Sequence, residues 1–148
     1  MNFTQSNTPM NQYRTVDAYG AAAAPDRIQL VLRMMQGALD RIATARGHMR
    51  RGEQAPKGEA LGRAVRLIDG LRSCLDLQRG GEIAANLGAL YDYMTRRLTE
   101  ANLRNDPRGL DEVAELMEEI RGGWEQMAAS PDLRVVPAST TGAGQNPA

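Results

Sequence analysis

"NLGALYDYMTRRLTEANLRNDPRGLDEVAELMEEIRGGWEQM", residues Asn86 to Met127, contains two amphipathic runs separated by the short break "NDP". In the first run, whose stripe begins just upstream at Ile83, Leu87, Leu90, Met94, Leu98 and Ala101 recur at spacings of three and four, the period that aligns one face of an α-helix. In the second, Leu110, Val113, Met117, Ile120, Trp124 and Met127 follow the same rule. The break supplies the punctuation. Asp106 is a good N-cap, and Pro107 suits a first helical position, where its missing N–H is not needed. So short a link lays the second helix antiparallel beside the first.

Two more segments with the same period lie upstream. One opens at Pro25, with Asp26 near the positive end of the helix dipole. It carries Ile28, Leu32, Met35, Leu39, Ile42 and Met49 on one stripe and closes near "RRG", where Gly52 follows a basic pair. The other follows "EQAPKG", read as a loop. It carries Leu61, Ala64, Ile68, Leu71 and Leu75 and is expected to stop at Gly80 and Gly81. Each helix is expected to run about 23 to 27 residues, or roughly 35 to 40 Å at ~1.5 Å per residue. Matched lengths and short links predict an all-α chain, an antiparallel up-down four-helix bundle over residues 25–130. Residues 1–24, polar and then alanine-rich, read as a flexible N-terminal arm. Residues 131–148, "PDLRVVPASTTGAGQNPA", read as a disordered tail on their Pro, Gly, Ser and Thr content.

Composition agrees. With 148 residues, 42% of them hydrophobic, the chain fits one domain with one core. A single Trp and a single Phe leave that core to Leu, Ile, Val, Ala and eight Met, a mixture that favours helices over a sheet. Cys74 stands alone and cannot form an internal disulfide, and "MNFTQSNTPM" lacks the regions of a signal peptide, so the expected home is the cytoplasm. No run approaches the roughly 18 apolar residues of a membrane span. A soluble chain without membrane insertion is predicted.

The formal net charge of +0 argues against a broad nucleic-acid surface. It conceals an asymmetry: six arginines against two aspartates between Asp26 and Arg51, and two arginines against six acids between Pro107 and Ser130. Either the basic first helix and the acidic last one lie side by side, or the two faces form a steering field for a partner.

Catalytic chemistry has little to build on. The only histidine, His48, stands near the end of an arginine-rich helix and reads as a surface residue. A carboxylate-bridged metal site in a bundle uses Glu-x-x-His pairs, but the residue three before His48 is Ala45. Glu115 and Glu119 form an ordinary solvated face. Cys74 reads as a small core residue. No phosphate-cradling glycine loop is present. The reading is a non-enzyme with no cofactor and no metal.

Less ordinary are the glycines inside proposed helices, at 37, 62, 70, 88, 122 and 123, each costing about 0.5 to 1 kcal/mol relative to alanine. They either draw neighbouring bundle helices together or leave room for another backbone. With the flexible methionines, they fit a groove for a helical or extended peptide. Tyr91 lies beside the apolar stripe of the third helix and Tyr93 away from it, so one ring is expected to be partly exposed.

Several stretches resemble the flagellar secretion chaperone family: "KGEAL" at Lys57, "GGEIAANL" at Gly80, "LYDYM" at Leu90, "RRL" at Arg96, "ANLRND" at Ala101 and "GWEQM" at Gly123. "APDRIQLVL" is similar to the family's opening helix, with Ala24 where a capping serine or threonine is usual, a departure that weakens the cap by ~1 kcal/mol. The resemblance implies a bundle that binds the C-terminal segment of flagellin, prevents premature polymerisation and delivers it to the type III export gate. The groove candidates are Ile28, Leu32 and Met35 of the first helix and Leu87, Tyr91 and Met94 of the third. "MNQYRTV" resembles the family's tyrosine-bearing arm. Through Met10, Tyr13 and Val16 that arm would cover part of the client site and contact the cytoplasmic domain of the gate; the alternative is a leader without function. The free chain is expected to be a monomer or a weak dimer. A competing reading from another class is a helical adaptor that binds a folded partner.

Overall fold

The computed structural model describes residues 25–129, which form α1 (Pro25–Arg50), α2 (Gln54–Ser73), α3 (Leu77–Arg104) and α4 (Pro107–Ala128). Each helix packs on its neighbours in sequence, and α4 closes the ring against α1. Side-chain pairs fix the directions. Met34, early in α1, reaches Gly70, late in α2; Lys57, early in α2, reaches Asn102 and Asn105 at the end of α3. Arg97, well along α3, meets Glu112 in the first turns of α4, and Arg46, late in α1, meets Asp111. Every adjacent pair is therefore antiparallel, which is the up-down four-helix bundle expected. The proposed arm, with Met10, Tyr13 and Val16, and the proposed tail lie outside the described residues.

The core is aliphatic and sulfur-rich, as the scarcity of aromatics requires. Val31, Met35, Ile42, Ile68, Leu71, Met94, Leu98, Leu110 and Met117 are fully buried around Tyr91 and Trp124. Trp124 continues the stripe of α4 into the core, at 1% exposure.

The second helix differs from the expectation at both ends. "EQAPKG" is not a loop: α2 begins at Gln54, and the Lys57 amide donates to the Glu53 carbonyl over 3.1 Å. Pro56 falls within the first turn, where no N–H is required of it. At the other end α2 stops at Ser73, before the glycine pair. Asp76 then restarts the chain, its carboxylate accepting the Arg79 amide over 3.0 Å. Gly80 and Gly81 thus lie inside α3. Gly81, at φ 53° and ψ −128°, breaks the helix after its first turn, a conformation that a side chain would resist. An aspartate cap outweighed the glycine pair as a boundary signal.

The stripe of α3 is also rotated from its expected position. Ala84, Gly88, Tyr91, Met94, Leu98 and Ala101 are buried, while Ile83, Leu87 and Leu90 sit half-buried at the flank. A Cβ at Gly88 would stand 3.5 Å from Leu75 of the α2–α3 turn, an ordinary contact. Apolar periodicity alone ranks Leu87 above Gly88, whereas packing prefers the reverse.

Candidate functional site

Ion pairs at the surface tie the helices together. Arg46 grips Asp111 with two bonds of 2.6 and 2.9 Å, tying α1 to α4. The basic first helix and the acidic last one therefore do lie side by side. Arg72 grips Asp92 in the same way, at 2.7 and 3.0 Å. Glu112 accepts the Tyr93 hydroxyl and the Arg97 guanidinium, locking α3 to α4. These bonds hold the Glu112 carboxyl below its usual range and push the Tyr93 phenol up. Arg46 likewise lowers Asp111, and Arg72 lowers Asp92. In each case the leading cause is a hydrogen bond at the surface.

His48 sits at the α1–α2 turn, Nδ1 2.7 Å from a Glu53 oxygen that also accepts from Arg51. Cys74 is half-buried at the end of α2. Among the described residues no group of three or more His, Cys, Asp and Glu could hold a metal ion, and no helix is long and apolar enough to cross a membrane.

The six groove candidates separate. Met35, Tyr91 and Met94 are wholly buried, and Ile28 is 8% exposed. They build the core and leave no open trough. Leu32 and Leu87 are half-buried against that core. They stand on helices that face each other across the ring. Tyr93, the second tyrosine, is partly exposed and carries Arg96 over its ring at 6.0 Å.

Two surface depressions lie elsewhere, lined mostly by residues outside the apolar stripes. One lies at the end of the bundle, between Arg27 and the α2–α3 turn at Leu75 to Arg79. The other runs between α2 and α3, with Val65 and Asp69 on one side and Thr95, Arg96, Thr99 and Leu103 on the other. Leu103 is 80% exposed. The available signal was a leucine at a position outside the α3 stripe.

Comparison with known proteins places this bundle. The family model described as flagellar protein FliS matches residues 9–131. The chain belongs to the FliS family. A flagellar secretion chaperone of Pseudomonas aeruginosa, FliSB, is 45% identical over 116 residues, covering 78% of this chain and 92% of that relative. FliS of Vibrio cholerae is 43% identical over 113 residues, 76% of this chain and 82% of its own length. FliS of Salmonella typhimurium is 42% identical over 117 residues, with coverages of 78% and 87%. The relatives of this FliS-family bundle are thus named as chaperones of flagellar secretion.

Proposed function

We propose that this chain is a cytoplasmic export chaperone. It binds the C-terminal segment of flagellin, keeps the subunit from polymerising early and delivers it to the flagellar type III secretion apparatus. The observation that carries the reading is membership of the FliS family across residues 9–131. The physical character of the bundle supports it. A fold with half-buried Leu32 and Leu87 at the rim of a methionine-rich core suits a guest that is unfolded before it binds. The arm at Met10, Tyr13 and Val16 is proposed to cover part of the client site and to contact the cytoplasmic domain of the export gate.

Seeded polymerisation of purified flagellin tests this reading. Equimolar chaperone should suppress the growth in light scattering, and flagellin lacking its C-terminal segment should not be retained by the chaperone. Unchanged filament growth in excess chaperone would contradict the proposal.

A further inference from the structure

The end of the bundle at which the described chain stops carries an exposed apolar patch. Leu77, in the first turn of α3, is 62% exposed, and Cys74 and Leu75 before it are half-buried at the α2–α3 turn. With Arg27, Asp76 and Arg79 they line one depression. Leu30 extends the patch along α1: it shares a face with Arg27, three residues before it, and is itself 46% exposed. Met34 reaches Gly70, so the same step back along α1 and on along antiparallel α2 brings Leu30 level with Cys74. Two of the exposed large hydrophobics of the described residues thus stand at this one end. The end of α4 comes to the same level. Arg46 meets Asp111, and counting equally back along α1 and on along α4 from that pair arrives at Ile28 and at Ala129, the residue that caps α4. The chain continues from there as "SPDLRVVP", residues 130–137.

We propose that residues 131–137 of this chain dock back on that end as an extended segment, with Leu133 and Val135 against Leu75 and Leu77. Pro131 and Pro137 disfavour helix at the residues before them and bracket a run that favours extended backbone. In such a segment alternate side chains share a side, which pairs Leu133 with Val135. At ~3.3 Å per residue Leu133 reaches about 13 Å from Ala129 and Val135 about 20 Å, against about 8–10 Å between neighbouring helix axes. So short a tether holds the segment at an effective concentration on the order of millimolar, enough to populate a small apolar contact. Arg27 and Arg79 outnumber Asp76 at the rim, which favours a segment that brings Asp132 beside its apolar pair. The residues that lead into Pro25 also start at this end, but Gly20 to Ala24 are a glycine and alanines with no large apolar group. The docking is a property of the chain itself and does not rest on the chaperone reading.

Two rates measured on the full chain test the docking, each read at the partner that the substitution does not touch. Arg134 is the only Lys or Arg beyond Arg121, so trypsin cutting after Arg134 reports release of the segment. Cys74, the only cysteine, reports cover of the site through its rate of labelling by a thiol reagent. Leu77→Asp should speed the cut at Arg134, and Leu133→Asp the labelling of Cys74, each by about threefold or more. Leu103→Asp, at the other end of α3, controls the cut and Val136→Asp the labelling; each should change its rate by less than about twofold. Leu133→Asp leaves every described core residue in place, so the labelling rate decides the matter where Trp124 emission shows Leu77→Asp unfolded. A cut as fast in wild type as in folded Leu77→Asp, or labelling as fast in wild type as in Leu133→Asp, overturns the proposal. Labelling that Tyr19→Asp accelerates and Leu133→Asp does not assigns the site to the residues before Pro25 and overturns it too. Wild-type labelling that slows as protein concentration rises, with Leu133→Asp without effect, assigns the site to a second copy and likewise overturns it.

Discussion

Lys57 is buried to 2% exposure without any carboxylate beside it. Its ammonium donates to the Asn102 carbonyl over 3.0 Å and to the Asn105 side-chain oxygen. Both acceptors belong to the last turn of α3, where the helix dipole is negative and terminal carbonyls lack intrahelical partners. Asn105 itself takes the left-handed conformation, φ 51°, that ends α3 and aims the chain at the Asp106 cap. The lysine of "KGEAL" therefore bolts α2 to the α3–α4 corner. Lys57→Met keeps most of the volume but strands two acceptors, and should destabilise the fold by about 1–3 kcal/mol. Hydrogen exchange of the Asp106 amide, bonded to Ala101 over 3.0 Å, should accelerate first. Unchanged stability and exchange would show that water replaces the ammonium freely. None of this was legible in advance, because a lysine in a polar stretch carries no mark of burial. The tyrosines show the same limit: periodicity set Tyr91 beside the stripe, but only packing against neighbouring helices brought it to the centre.

At the scale of elements, helical period located all four helices and capping residues placed Pro25, Asp106 and Pro107 correctly, because such signals are local. The boundaries of α2 and the break at Gly81 were missed, since an aspartate cap and a glycine pair compete within a few residues and tertiary packing decides between them. Glycines divide in the same manner. A Cβ on Gly109 would stand 2.7 Å from the Ala101 Cβ and 2.9 Å from Arg97, so α3 and α4 approach there too closely for a side chain. Gly122 and Gly123 would meet nothing within 4 Å. Gly109→Ala should therefore destabilise by about 1–3 kcal/mol despite alanine's better helix propensity. Gly122→Ala and Gly123→Ala should each stabilise by about 0.5–1 kcal/mol. Thermal unfolding followed by Trp124 fluorescence reads all three, and equal effects of the three substitutions would contradict this division.

Across the whole molecule, the ring closes through surface ion pairs whose acids sit below their usual range, among them Asp111 beside Arg46, Asp92 beside Arg72 and Glu112 beside Tyr93 and Arg97. A carboxyl with a lower folded than unfolded pKa binds fewer protons when folded. Its contribution is therefore present above about 4 and fades as pH falls through the depressed folded values. Stability should stay level near neutrality and decline below about pH 4, more gently at high salt, where exposed pairs already contribute less. A chemical denaturation series from pH 7 to pH 3 measures it; a midpoint that rises on acidification would remove these pairs from the account.

On the proposed chaperone reading, the bundle is a preformed host and the client is the partner that folds. Calorimetric titration of the full chain with the C-terminal segment of its flagellin, repeated at two or more temperatures, tests that claim most directly. The account predicts one segment per chain, a favourable enthalpy opposed by ordering entropy, and a negative heat-capacity change from apolar burial. Absence of any heat and of any protection from hydrogen exchange at micromolar concentrations would contradict it.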